Sequence, residues 1–195
     1  IAPQEWLWGW KRGANVVAKT LTHILAVFKE EADFYKHLGA NVTYIGHPLL
    51  DMMDFENVSK EAAKKQLQLA SHQKVLLLMP GSRKNEIQHL MPVLSKLVQT
   101  MPPDIQIILP IAEPQLTPLL QSWVSDTSIL LFPSSNRYTC MQAADLTVCA
   151  SGSVTLELAL LECPMLALYK VSPLTFQIAK RLLKTSYITL PNILL

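Results

Sequence analysis

The sequence predicts an α/β protein built on a doubly wound parallel sheet. Short and nearly continuous apolar runs recur along the chain, as expected for parallel strands that are covered on both faces. Helical segments separate these runs, and such regular alternation is typical of a parallel sheet. Ligands bind sheets of this kind beyond the carboxyl ends of the strands. The turns that follow predicted strands are therefore the candidate functional sites.

The first fifty residues are predicted to form two strands around one helix. The apolar run His23–Phe28 predicts a buried strand, and Val42–Ile45 predicts a second one that a Gly-His-Pro break ends. Between them, Lys29–Leu38 has acidic residues in its first turn and is followed directly by Gly39, both of which are typical of a helix.

A polar stretch over residues 51–73 lacks the strand pattern and is the best candidate for a boundary between domains. Within it, Ser59–Leu69 predicts an exposed helix. Regular alternation begins at Lys74, with strands predicted at Val75–Met79, Ile105–Leu109, Ile129–Phe132, Leu146–Cys149 and Met165–Tyr169. The clearest helix, Asn85–Thr100, has apolar residues three or four apart and stops before two prolines.

Composition excludes several classes of protein. Half of the 195 residues are apolar and 16% are charged, against about 25% charged residues in soluble proteins generally, which excludes a disordered chain. A net charge of +2 argues against nucleic-acid binding driven by bulk charge. Cys140, Cys149 and Cys163 form no CxxC pair, which excludes a disulfide framework or a zinc ribbon and fits a reducing cytosol.

The ends of the sequence suggest a piece of a longer protein. No apolar run approaches the ~18 residues that a membrane-spanning helix needs, and no signal-peptide pattern is present. The chain begins with Ile1 rather than methionine and stops in the apolar run Ile193–Leu195. We therefore expect an internal fragment.

The first candidate turn runs from Met79 to Arg83, directly after the strand that opens the regular region. Gly81 allows the backbone to turn and to approach a ligand closely. Ser82 and the amides after it would face an anion at the start of the next helix, and the forked guanidinium of Arg83 suits phosphate oxygens. From spacing alone, an ordinary turn with an exposed arginine explains these residues equally well.

The second candidate turn consists of Ser151, Gly152 and Ser153 and leads into a predicted helix at Val154–Leu161. Its small residues leave the N-terminus of that helix accessible to a phosphate. A carboxylate at Glu157, one turn further on, could accept hydrogen bonds from two ribose hydroxyls. An acid that merely suits the helix dipole is the slightly better explanation on spacing alone. Neither turn is a Walker motif or GxGxxG, so ATPase and dinucleotide-binding functions are weakly supported.

Two further features have both a functional and a packing explanation. After Glu162 the chain has no acid but carries several bases, namely Lys170, Lys180, Arg181 and Lys184. Beside an apolar stripe they would suit an anionic lipid surface, although a core helix with a solvated basic face is the favoured explanation. Alternate tryptophans stand near the start, namely Trp6, Trp8 and Trp10. Packing of one strand face explains them more simply than an interface does.

Short motifs over nearly the whole chain resemble the lipid-A-disaccharide synthase family in their order and spacing. They are Ala2–Trp8, Gly46–Pro48, Leu78–Arg83, Ser151–Ser153 with Glu157, Cys163–Met165, Phe176–Leu182 and Leu190–Asn192. Each motif is modest alone, and together they are specific.

The resemblance implies a GT-B glycosyltransferase, in which two Rossmann-like domains face each other across a cleft and the C-terminal one holds UDP. The chain would then contain the end of the N-terminal domain (1–55), a linker region (56–73) and most of the C-terminal UDP-sugar-binding domain (74–195). The family transfers 2,3-diacylglucosamine from UDP-2,3-diacylglucosamine to the 6-hydroxyl of 2,3-diacylglucosamine 1-phosphate, a lipid X-type acceptor. Transfer inverts the anomeric centre, makes a β-1,6 disaccharide for lipid A and releases UDP.

The resemblance also implies a site in this chain. Its residues would be Gly81, Ser82, Arg83, Ser151, Gly152, Ser153, Glu157 and Asn192. Arg83 and the amides of the second turn would stabilise the leaving diphosphate, Glu157 would bind ribose, and Asn192 would contact substrate. No metal or other cofactor is expected. The general base would lie outside this chain, so we expect the isolated chain to be inactive.

Partners and location follow from the same resemblance. The family works as a peripheral protein at the cytoplasmic face of the bacterial inner membrane, so the membrane surface is an expected partner, a homodimer is allowed and nucleic acid is not expected.

Three alternatives stay open. The chain could belong to another GT-B enzyme, such as a UDP-N-acetylglucosamine epimerase or the peptidoglycan N-acetylglucosaminyltransferase. It could also be a non-catalytic nucleotide-binding module or a purely structural α/β scaffold.

Overall fold

The computed structural model describes residues 11–53 and 56–169. These two ranges fall into two separate compact units. The predictions made for the N-terminal tryptophans, for the basic C-terminal stretch and for Asn192 lie outside the described residues.

The first unit contains the two predicted strands, which pair in parallel with Ile24 opposite Val42. Its elements are α1 (Lys11–Thr20), β1 (Ile24–Ala26), α2 (Lys29–His37), β2 (Val42–Tyr44) and α3 (Leu49–Met52). Helix α2 begins where the buried Glu31 carboxylate accepts backbone hydrogen bonds from Val27 (2.9 Å) and Phe28 (3.4 Å). It ends before Gly39, whose φ of +80° is a conformation that favours glycine.

The second unit is a five-stranded parallel sheet, which confirms the predicted α/β class. Its strands are β3 (Lys74–Met79), β4 (Ile105–Pro110), β5 (Ile129–Phe132), β6 (Leu146–Ala150) and β7 (Met165–Leu168). They lie in the order β5-β4-β3-β6-β7. The direction of winding therefore reverses between β3 and β6, and such a switch point is where doubly wound sheets bind ligands.

Helices cover both faces of this sheet. They are α4 (Lys60–Gln66), α5 (Lys84–Gln99), α6 (Thr117–Val124), α7 (Arg137–Ala143) and α8 (Val154–Leu160). Short 3-10 turns, Pro114–Leu116 and Ser134–Asn136, precede α6 and α7. In the described parts of the chain, no helix is both long enough and apolar enough to cross a bilayer.

The core is split into two layers by the alternation of side chains along each strand. Leu76 and Leu78 of β3 pack with α5 and α6 on one face, whereas Val75 and Leu77 pack with α4, α7 and α8 on the other. Because both faces are buried, each strand reads as a continuous apolar run rather than as an alternating one. This explains why the strands were predictable from short apolar segments.

Helix α4 differs from its prediction as an exposed helix. Ala63 is fully buried, and Leu67, directly after the helix, is 5% exposed; both belong to the core of the second unit. They are four residues apart and therefore lie on one face of the helix. Polar residues dominate the segment; Lys64 is buried as well and pairs with a carboxylate, whereas Glu61 and Lys65 are exposed. Part of the predicted linker region thus contributes to this core.

A cluster of charges joins α4 to the amino ends of strands β3 and β6. Asp145 forms ion pairs with Lys60 (3.1 Å), Lys64 (3.6 Å) and Lys74 (3.3 Å), and it accepts a hydrogen bond from the amide of Val75 (2.9 Å). Burial of the carboxylate would raise its pKa, but the Val75 amide and Lys60 outweigh that effect and lower the pKa of Asp145 from 3.8 to about 2. The ionised form is therefore favoured by folding.

Asp145→Asn is expected to destabilise the second unit by about 2 kcal/mol at pH 6, because the pKa difference is worth ~1.4 kcal/mol per unit. The folded pKa lies below the unfolded one, so this stability is present above pH 4 and is lost as the pH falls. The gap between wild type and variant should shrink by roughly half at pH 3 and nearly close at pH 2. Denaturant unfolding at each pH measures the gap. Asp126→Asn, at an exposed position, is the control, and a gap independent of pH would contradict the assignment.

Candidate functional site

A cavity of about 410 Å³ lies at the carboxyl ends of β3, β4 and β6, entirely within the second unit. Both predicted turns line it. The first contributes Gly81, Ser82 and Arg83, and the second contributes Ser151, Gly152 and Ser153. Glu157 lines the same cavity. The structure thus brings together seven of the eight predicted site residues, and the eighth, Asn192, lies outside the described residues.

The first turn depends on a glycine at position 81. Gly81 has φ of +117°, which side-chain-bearing residues rarely adopt. A Cβ atom there would lie 2.7 Å from Cβ of Glu86 and would also overlap its carboxylate. The turn therefore needs glycine for two reasons, its backbone conformation and the closeness of Glu86.

Glu86 occupies the anion position that the sequence assigned to a ligand. Its Oε2 accepts a hydrogen bond from the amide of Ser82 (3.0 Å), and its Oε1 pairs with Arg83 Nη1 (3.2 Å). Arg83 precedes the first residue of α5, and its side chain is 82% exposed. A phosphate that approaches the Ser82 amide would compete with the Glu86 carboxylate. The Arg83 side chain can pair with the Glu86 carboxylate or with the phosphate, because an ion pair between exposed side chains is weak.

The second turn corrects part of the sequence prediction. We expected the amides of Ser151, Gly152 and Ser153 to face an anion, but the Ser151 amide donates to the carbonyl of Leu168 (2.8 Å). Strand pairing between β6 and β7 continues one residue beyond β6, and this consumes that donor. The amides of Gly152 and Ser153 have no acceptor among the described residues, and Gly152 has open space where a Cβ would stand.

Glu157 is a buried carboxylate in the wall of the cavity. It is 3% exposed and forms an ion pair with Arg137, the first residue of α7. Burial raises the pKa of Glu157, and the Arg137 guanidinium offsets this shift only in part. The sequence prediction placed Glu157 at a ligand site without identifying this partner.

Sequence reasoning missed three charged residues that line the cavity, Glu86, Glu113 and Arg137. A signal existed for Glu86, because an acid shortly after a turn commonly caps the following helix. The signal for Arg137 was weaker and consisted only of its position after a strand. Arg137 follows strand β5 after a Pro-Ser-Ser-Asn turn, and residues that follow parallel strands lie at one edge of the sheet.

The cavity combines hydrogen-bond donors for an anion with acceptors for hydroxyl groups. Arg83, Arg137 and the amides of Gly152 and Ser153 can bind phosphate oxygens, while the Glu157 carboxylate can accept hydrogen bonds from hydroxyls. Within residues 11–53 and 56–169, no three His, Cys, Asp or Glu side chains cluster closely enough to hold a metal ion. A molecule with both phosphate and sugar hydroxyls, such as a nucleotide, matches this arrangement.

The family model and the curated relatives that match this chain all point to one enzyme family. A family model described as lipid-A-disaccharide synthetase matches residues 1–195. A lipid-A-disaccharide synthase from Synechocystis sp. is 35% identical over 192 residues, which cover 94% of this chain and 48% of that protein. The synthase from Trichlorobacter lovleyi is 33% identical over 198 residues (99% and 51%), and that from Geobacter sulfurreducens is 36% identical over 200 residues (99% and 51%). The chain thus spans about half the length of these curated relatives.

Among solved structures, the wall teichoic acid polymerase TagF matches 80% of this chain and 40% of its own chain. The TM-score is 0.46 and the sequence identity is 17%.

Proposed function

This chain belongs to the lipid-A-disaccharide synthase family, and from that premise we propose that its protein transfers 2,3-diacylglucosamine from UDP-2,3-diacylglucosamine to 2,3-diacylglucosamine 1-phosphate. The 6-hydroxyl of the acceptor gives its proton to a general base outside this chain and attacks the anomeric carbon of the donor. The β-1,6 bond forms with inversion as the bond to UDP breaks. The part that we assign to the second unit is to hold UDP. Because the chain spans about half of its curated relatives, we do not expect it to complete the transfer alone.

The observation that best supports this proposal is the convergence of Arg83 and Glu157 on one cavity at the switch point of the sheet. They follow different strands, β3 and β6, which are neighbours only because the winding reverses there. One is a cation suited to phosphate and the other an acceptor suited to hydroxyls. A uridine diphosphate carries both groups.

We assign stabilisation of the leaving diphosphate to Arg83 and to the amides of Gly152 and Ser153. Negative charge grows on the diphosphate as the glycosidic bond breaks, and preorganised donors aimed at that charge are often the largest catalytic contribution. In our proposal these donors act without a metal ion. Arg83 exchanges its exposed pairing with Glu86 for the diphosphate oxygens. We assign Asn192 a substrate contact.

The chemistry of the proposed substrates also leads us to propose where the protein works and what it contacts. Both substrates bear acyl chains, so the protein would work as a peripheral protein at the cytoplasmic face of the inner membrane, and anionic lipid would be a partner rather than nucleic acid. We also propose the two-domain GT-B arrangement for the full-length protein. A homodimer is compatible with this arrangement.

Calorimetric titration of the full-length protein with UDP tests the proposal. We expect saturable binding that is unaffected by EDTA, and disaccharide formation with the diacylated acceptor but not with free glucosamine 1-phosphate or a peptidoglycan lipid precursor. Absence of saturable UDP binding would support a structural scaffold instead. Binding without transfer would indicate a nucleotide-binding module, and use of either alternative acceptor would indicate another sugar-nucleotide enzyme.

A further inference from the structure

The wall of the cavity contains an ion pair between two elements that are separate along the chain. Arg137 begins α7, and Glu157 lies in the middle of α8. Arg137 Nη2 pairs with Oε2 of Glu157, whose side chain is 4% exposed. Both residues line the same cavity as the two turns. The pair is therefore part of the wall that a bound nucleotide would touch.

A carboxylate this deeply buried needs a compensating charge. Removal of an ionised carboxylate from water is costly, and the loss of one partner of a buried pair leaves the other uncompensated. Arg137 is the one charged side chain with which Glu157 forms an ion pair in the described part of the chain. The carboxylate therefore depends on Arg137 both for its ionisation and for its orientation.

The Arg137 guanidinium is itself held in place. It lies 5.8 Å from the centre of the Tyr138 ring, within the range of a cation–π contact. Its Nε is buried and has no hydrogen-bond acceptor among the described residues. Its side chain is about one third exposed, so it reaches from the interior to the cavity. The contact with the Tyr138 ring and the ion pair with Glu157 together limit the orientations of the guanidinium, and an arginine limited in this way can orient the carboxylate with which it pairs.

We propose that Arg137 is a positioning residue that holds the Glu157 carboxylate in the orientation in which it accepts hydrogen bonds from the ribose hydroxyls of the nucleotide. This inference rests on the proposed function, since it assumes that a uridine nucleotide occupies the cavity. One oxygen of Glu157 is paired with Arg137, which directs the carboxylate and leaves the other oxygen for a hydroxyl. Without Arg137 the carboxyl group would take up a proton or rotate, and ribose recognition would weaken.

Nucleotide binding to the full-length protein tests the proposal, with UDP, 2′-deoxy-UDP and 3′-deoxy-UDP as probes. The quantity of interest is the ratio of each deoxy Kd to the UDP Kd. It depends on recognition of the hydroxyl and not on the fraction of protein that has folded. We expect the wild type to prefer UDP over one or both deoxy forms by about tenfold or more, because hydrogen bonds to charged groups are strong. Glu157→Gln should reduce this preference to below about threefold.

The Arg137 variants then separate positioning from other roles. Arg137→Met should lose the preference as fully as Glu157→Gln does, and the double variant should lose no more than either single one. Arg137→Lys should recover part of the preference, because it restores the charge but not the fork. Thermal unfolding in the presence of UDP identifies any variant that fails to fold, and Arg137→Gln then replaces Arg137→Met.

The outcomes distinguish this inference from the proposed function. If Arg137→Met weakens UDP and both deoxy forms equally while the preference persists, Arg137 acts on the phosphates or on stability, and the positioning role is wrong. If the wild type binds UDP without any preference that depends on Glu157, the ribose assignment is wrong and the positioning role with it. If the wild type does not bind UDP, the proposed function itself fails, and this inference fails with it.

Discussion

Replacement of Gly81 by alanine is expected to lower the free energy of unfolding by roughly 2–3 kcal/mol and to weaken UDP binding by about ten- to a hundredfold. Two physical costs add at this position. A φ of +117° costs a residue with a side chain about 1–3 kcal/mol. The new Cβ would also lie 2.7 Å from Cβ of Glu86, so the first turn of α5 must shift and the Ser82 amide must move with it.

Two other glycines provide controls. Gly39 also has a positive φ (+80°) but has no neighbouring atom within 4 Å of an added Cβ. Gly39→Ala should therefore show the conformational cost alone, about 1 kcal/mol. Gly152 lies in the cavity with open space around an added Cβ, so Gly152→Ala should retain wild-type stability while it weakens UDP binding. Denaturant unfolding and calorimetry measure the two effects separately.

A double variant tests the part of the steric cost at Gly81 that comes from the Glu86 carboxylate. Glu86→Ala removes this carboxylate, but it leaves the Cβ atom of residue 86 and the backbone conformation of residue 81 unchanged. The combination of Gly81→Ala with Glu86→Ala should therefore recover part of the stability lost by Gly81→Ala. Wild-type stability and UDP affinity in the single Gly81→Ala variant would show that the turn does not depend on this glycine.

Arg83→Ala is expected to lower kcat/KM of the full-length protein by roughly 10- to 150-fold, because a charge-assisted contact to the leaving diphosphate is worth about 1.5–3 kcal/mol. Stability should change by less than about 1 kcal/mol, since Arg83 is 82% exposed and its pair with Glu86 is a surface pair. A disaccharide-forming assay measures the first effect, and thermal unfolding measures the second.

Lys84→Ala is the matched control for Arg83→Ala. It removes the same charge one residue away, at an exposed position that does not line the cavity. We expect its kcat/KM to remain within about twofold of the wild type, because long-range interactions between exposed charges are largely screened by salt. Equal losses in the two variants would point to general electrostatic attraction of the substrate. Unchanged turnover in Arg83→Ala would favour a nucleotide-binding module over an enzyme.

Most of the second unit could be predicted from the amino-acid sequence. All five strands predicted after residue 73 are present, with ends within one residue of the predicted ones. Parallel strands with both faces buried consist of short apolar runs, which are visible without a structure. The exposed helix predicted at Ser59–Leu69 was less accurate, because its three core residues, Ala63, Leu67 and Leu69, are outnumbered by polar residues.

The candidate site was predictable only in part. The two turns were identifiable because each follows a strand and contains the small residues that a close approach to a ligand requires. The sequence did not reveal which backbone amides of these turns are available to a ligand. The Ser151 amide is used in pairing with β7, and the Ser82 amide binds Glu86. Whether a backbone donor is available depends on contacts that local sequence does not reveal.

Apolar spacing, turn residues and short motifs are local properties, and they were sufficient to predict the strands, the two glycine-containing turns and the family to which the chain belongs. They did not predict helices α1 and α3 of the first unit. Which charges meet depends on the tertiary structure. Arg137 pairs with Glu157 from another helix, and Asp145 gathers Lys60 from 85 residues away. The strand order β5-β4-β3-β6-β7 produces these meetings, since it makes neighbours of segments that are far apart along the chain.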